Sequence, residues 1–154
     1  MTRRRSLFFA LVGQLTIIEK DKLNGHEVIV IASTETFDKD GRMFYCDHGQ
    51  SVTRSNIPLF RVPYFFGDNF FSRKLRKYKG GIKILERFKP DVIFFHGTGA
   101  FEILSISRFV RNNPGVHFFI DSHEDWNNSA RSWLSREVLH RFIYRPVLRS
   151  AMPV

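Results

Sequence analysis

Two stretches decide the fold: Asp91-Val-Ile-Phe-Phe-His96, followed by Gly97-Thr-Gly99, and Val116-His-Phe-Phe-Ile-Asp-Ser-His123, followed by Glu124-Asp125-Trp126. Each is a short, unbroken apolar run with helical patterning after it. That is how a parallel strand buried on both faces reads, because helices cover both sides of such a sheet. In open α/β sheets the ligand crevice lies beyond the carboxyl ends of the strands. Both histidines and the polar residues around them fall at those ends, so the sequence points to a site there.

Strand and helix alternate on either side of these runs. Ser6 to Val12 reads as a strand and Leu15 to Leu23 as a short helix, with Gly25 placed to end it in a left-handed turn. Glu27 to Ala32 reads as a second strand. Residues 33–56 are polar, contain Gly41 and Gly49 and hold no sustained period, so they read as a long loop or irregular insert. Ile57 to Val62 reads as a short edge or extended segment because of Pro58 and Pro63. The helical pattern from Asn69 through Phe88 breaks at Gly80-Gly81, and Pro90 stops it before the strand at Asp91. Ala100 to Asn112 reads as a helix packed on a sheet. Asn113-Pro-Gly115 marks a turn, and a long helix from about Asn127 to Pro146 follows the last strand. The expected fold is therefore α/β: one doubly wound, Rossmann-like parallel sheet over residues 1–154, with helices on both faces.

Composition narrows the function classes. A chain of 154 residues with 43% apolar content and 17 phenylalanines can bury one core and is not disordered. Cys46 is the only cysteine, so an internal disulfide is excluded and a reducing compartment is favoured. No apolar run reaches the ~20 residues needed to cross a bilayer. Met1 to Gly13 imitates a signal peptide but lacks a small-residue cleavage site, and it reads as leading into the first strand. The net charge of +9 attracts phosphates, nucleic acid or anionic headgroups. It is densest in Arg73-Lys-Leu-Arg-Lys-Tyr-Lys79, where Arg73, Lys74, Arg76, Lys77 and Lys79 form either a solvated face or a docking surface for membrane or polyanion; His140, Arg141, Arg145 and Arg149 make a second basic set.

Taken in order, Gly25-His-Glu-Val-Ile-Val-Ile-Ala-Ser33, Lys89-Pro-Asp-Val-Ile-Phe-Phe-His-Gly97 and Asp121-Ser-His-Glu-Asp125 resemble the N-terminal half of a retaining glycosyltransferase of the two-domain GT-B fold, in glycosyltransferase family 4. The resemblance covers roughly residues 14–150. It implies transfer of a sugar from a nucleotide-sugar to an acceptor hydroxyl with retention, the N-terminal domain binding a lipid-linked or polysaccharide acceptor. On that reading His123 is the active-site histidine that orients or hydrogen-bonds the transferred sugar. His96, Gly97, Thr98 and Glu102 line the cleft, and Asp121 and Asp125 join them as substrate-binding residues. The resemblance implies no cofactor beyond the nucleotide-sugar donor, which a second domain carries in such enzymes. It further implies a cytoplasmic protein, peripheral at the inner face of the membrane. These 154 residues hold only one such half, so they are expected not to turn over alone.

Each residue has a plainer reading. His96 can cap its strand, His117 inside an apolar strand is structural, and Trp126 and Trp133 suit packing. Asp125 or Asn127 can serve as a helix cap. Two other function classes stay open: a non-catalytic basic module binding anionic membrane or nucleic acid through Arg73 to Lys79, and a metal-assisted hydrolase using Asp121, His123, Glu124 and Asp125 as ligands.

Overall fold

The computed structural model of the chain describes residues 4–9, 15–96, 100–121 and 141. In chain order these form β1 (Arg5–Phe9), α1 (Leu15–Leu23), β2 (Glu27–Ser33), β3 (Glu35–Phe37), β4 (Met43–Tyr45), β5 (Gly49–Val52), β6 (Pro58–Val62), α2 (Phe70–Leu75), α3 (Gly81–Phe88), β7 (Val92–His96), α4 (Glu102–Asn112) and β8 (His117–Asp121). Among the described residues the main sheet has six strands in the order β5-β6-β2-β1-β7-β8, and β3 and β4 pair separately. All neighbours in the main sheet run parallel except β5 and β6. The chain builds outward from β1 through β2 to β6, then returns to the other side of β1 with β7. That reversal makes a topological switch point between β1 and β7.

Successive side chains alternate between the two faces, and the central strands β1 and β2 are buried on both. Leu7, Phe9, Ile29, Ile31, Ile93 and Phe95 face Leu85 of α3 and Ile103, Ile106 and Val110 of α4. Phe8, Val28 and Val30 point the other way and pack with Ile18 of α1 and with Ile57. An apolar side chain of this size contributes about 1.5–3 kcal/mol when fully buried. Helices thus cover opposite faces of the sheet, as the apolar runs lead one to expect. On the α1 face the rings of Phe8, Phe94 and Phe119 form a row across three strands, with centroids 5.6 and 6.4 Å apart.

Local chemistry explains most boundaries. Gly25 sits at φ 82° and closes α1, its N–H reaching the carbonyl of Lys22 at 2.9 Å. Asn69 caps α2 through its Oδ1, which accepts the N–H of Ser72 at 2.9 Å. Asp91 joins the amino ends of β1 and β7, its Oδ2 accepting the N–H of Arg5 at 2.7 Å.

Two expectations are corrected. Residues 33–56 are not a single irregular loop, since they contain β3, β4 and β5. Asp38 builds the β3–β4 turn by accepting the N–H groups of Asp40 and Arg42, at 2.9 and 2.8 Å, with Gly41 at φ 76°. Nor is β6 an edge strand, because β5 lies outside it. Pro58 is tolerated as the first residue of the strand, where a missing N–H costs least. The helical stretch 69–88 breaks at Gly80-Gly81 as expected, with α3 starting at Gly81, and α2 already ends at Leu75, where Arg76 enters the left-handed region ahead of a bridge between Tyr78 and Tyr64. The expected long helix beyond residue 127 lies outside the described residues.

Candidate functional site

The carboxyl ends of β1, β2, β6 and β7 come together at the switch point. There Phe9, Ala32, Ser33, Val62, Phe95 and His96 line a crevice, closed by Ala100 from the turn before α4 and by Arg76 and Tyr78 from the α2–α3 connection. Its enclosed part is small, about 20 Å³. Arg76 and Tyr78 are shared with a neighbouring polar pocket of about 160 Å³, whose other walls include Glu35, Tyr64 and Arg73. The two spaces therefore abut along the carboxyl edge of the sheet. A larger groove of about 740 Å³ lies between α3 and α4, but Lys89, Pro90, Asn113 and Val116 place it toward the amino ends of β7 and β8.

His96 is the last residue of β7 and is half-buried, and it stands opposite Asp121 in the register of β7 and β8. The ends of the two decisive strands are thus side by side. Gly97, Thr98, His123 and Asp125 lie outside the described residues, as do the metal-ligand candidates His123, Glu124 and Asp125.

Glu102, expected to line the cleft, is instead completely buried beneath it. Its Oε2 accepts the N–H of Tyr78 at 3.1 Å and lies 3.6 Å from Nζ of Lys77. Its Oε1 sits over Gly81 and accepts no hydrogen bond among the described residues; a Cβ on Gly81 would come within 3.4 Å of it. Burial raises the Glu102 carboxyl above its ordinary value, while the Lys77 ammonium and the Tyr78 N–H pull it back. The carboxylate thus fastens the α2–α3 connection to α4 and so positions the wall that carries Tyr78.

The basic stretch is also more structural than its charge implied. Arg73 pairs with Glu35 at 3.2 Å, Lys77 is held by Glu102 and by the Ser105 hydroxyl, and Lys74 stands 5.4 Å above the Phe70 ring. Lys74 and Lys79 are exposed.

Sequence reading missed Glu35 and Tyr64. The Tyr64 hydroxyl donates to Oε2 of Glu35 at 3.1 Å, and burial pushes Tyr64 up to about 12, so it stays a neutral donor. Tyr64 stacks on Tyr78 with ring centroids 5.5 Å apart. Chemically, the edge offers an imidazole, a phenol, a carboxylate and guanidinium groups around a partly aromatic wall. Such a set suits neutral polyhydroxylated ligands or phosphate esters, which need several directional hydrogen bonds and an apolar face.

The fold and site define an α/β protein with a mostly parallel, Rossmann-like sheet and a crevice at its switch point. No family model, curated protein or solved structure matches the chain. Among the described residues no helix is long and apolar enough to cross a membrane.

Proposed function

We propose that the chain is the acceptor-side half of a retaining GT-B glycosyltransferase, with its sugar-handling groove at the carboxyl edge around β1, β7 and β8. The observation that carries this reading is the register of His96 with Asp121 next to the switch-point crevice. Neighbouring strands lie about 4.8 Å apart, so the backbones of His96 and Asp121 stand side by side at the carboxyl edge of the sheet, and His123 follows Asp121 by two residues in the sequence. Two imidazoles on one rim can hold hydroxyls of the same sugar. Each would orient the acceptor or the transferred residue, and Arg76 and Tyr78 would bound the groove opposite them. The donor nucleotide belongs to a second domain, and the 154 residues alone bind acceptor without transferring sugar.

Calorimetric titration with methyl glycosides of glucose, galactose, mannose and N-acetylglucosamine tests this. At least one glycoside is expected to bind weakly. His96→Ala and His123→Ala should each reduce the affinity about tenfold, the value of one good hydrogen bond to a positioned group. Unchanged affinity in both variants removes the histidines from the site, and sugar transfer by the isolated chain on addition of nucleotide-sugars overturns the division of labour.

A further inference from the structure

Four phenylalanines stand in solvent within seven residues of one another: Phe65, Phe66, Phe70 and Phe71 are 53, 59, 72 and 65% exposed. Phenylalanine is normally an interior residue, and a contiguous exposed apolar patch marks an interaction surface. The segment is also held in shape. The N–H of Phe65 reaches the Lys77 carbonyl at 2.8 Å, and Nδ2 of Asn69 donates to the Phe66 carbonyl at 3.0 Å. Oδ1 of Asp68 accepts the Thr34 hydroxyl at 3.0 Å. The rings are therefore presented by a built turn and the short helix α2.

We propose that Phe65 to Lys74 is a docking surface for an anionic lipid bilayer, the four rings entering the headgroup layer while Lys74 and Lys79 meet lipid phosphates. Charge favours this partner. Residues 65–79 carry five basic side chains against one acidic, Asp68; Arg73 and Lys77 are paired with Glu35 and Glu102, and Lys74 and Lys79 stand exposed beside the rings. Apolar rings flanked by lysine and arginine are the composition of surfaces that lie in the membrane interface. A single-stranded nucleic acid would need open ring faces for stacking. Here Phe65 and Phe66 meet edge to face at 5.1 Å and Lys74 stands over Phe70, so three of the four rings are already engaged and do not make a series of open stacking platforms. Phe70 and Lys74 also line the polar pocket next to the crevice. Docking would hold that pocket at headgroup level, where a lipid-linked ligand presents its polar end. The docking proposal itself does not require sugar-transfer chemistry.

Co-sedimentation of the full chain with vesicles tests it, comparing phosphatidylcholine alone with phosphatidylcholine containing about a third phosphatidylglycerol. The wild type is expected to bind the anionic vesicles and to bind the neutral ones far more weakly. The F65S/F66S/F70S/F71S variant should retain its circular dichroism spectrum and melting temperature while its partitioning into anionic vesicles falls roughly 30-fold. K74E/K79E should lose binding at low salt by a smaller factor. Three results would overturn the proposal: no wild-type binding to anionic vesicles, equal binding by the serine variant, or a wild-type dimer that the serine substitutions dissociate without any vesicle binding. Tighter binding to a single-stranded oligonucleotide than to vesicles, lost in the same serine variant, would instead assign the patch to nucleic acid and reject the bilayer.

Discussion

Phe95→Ala is expected to destabilise the protein by about 4 kcal/mol and to lower its melting temperature by roughly 8–16 °C. Phe95 is 2% exposed at the carboxyl end of β7, beside β1, and packs on Phe9 with ring centroids 5.5 Å apart. Truncation removes the transfer energy of the ring and leaves a hole between sheet and helices that cannot fully collapse. Because Phe95 also lines the crevice, the loss falls directly under the candidate site. Phe119→Ala on β8 provides the contrast: its ring is more than half exposed, and the cost should stay near or below about 1 kcal/mol. Thermal melts of both variants decide the matter. Equal shifts for the two would contradict the packing described.

Lys77→Met is expected to cost about 3 kcal/mol at neutral pH, since it leaves the Glu102 carboxylate buried without its cation. Burial raises the Glu102 carboxyl above its ordinary 4.5. The folded state therefore holds this proton more tightly than the unfolded chain does. The stability linked to that proton is fully present below about pH 4.5 and is lost as pH rises through the raised folded value. Without Lys77 that loss grows, so the gap between wild type and Lys77→Met should be small near pH 4 and full near pH 7. Adding Glu102→Gln should recover most of the difference, because a neutral amide does not need the ammonium. Urea titrations of the four proteins of this cycle at the two pH values provide the measurement. A deficit in Lys77→Met that is independent of pH and not relieved by Glu102→Gln would show that the ion pair plays no such part.

The strands β1, β2, β7 and β8 were legible because short, nearly continuous apolar runs have few alternatives once Gly25, Pro90 and Asn113-Pro-Gly115 punctuate them. Their parallel arrangement followed from the helices between them. By contrast β3, β4 and β5 are three or four residues long and mostly exposed, so neither burial nor alternation marks them. The Asp40-Gly41 pair was the usable sign of the β3–β4 hairpin.

Similar reasons separate what was seen of the site from what was missed. His96 was found because it ends an apolar run. Glu35 stands just beyond the carboxyl end of β2 in the same way, after Ser33-Thr34, but it fell within a segment read as a loop. Tyr64 reaches Glu35 from a different strand connection, a contact that only tertiary structure reveals. The basic stretch shows the opposite effect. Its charges were obvious, yet the pairing of Arg73 with Glu35 and of Lys77 with Glu102 depends on residues 38 and 25 positions away, as the numbering shows. The exposure of the phenylalanines beside it is set by tertiary packing and has no mark in the sequence.

Joint action of His96 and His123 on one ligand is the core of the proposed function. Its most direct test is nuclear magnetic resonance of the chain labelled in its histidine rings, titrated with the methyl glycoside that binds best. Both imidazoles should shift along the same saturation curve, and each single alanine substitution should weaken the response of the other. If the two rings stay unmoved while amides lining the α3–α4 groove saturate, the ligand site lies elsewhere and the claim is wrong.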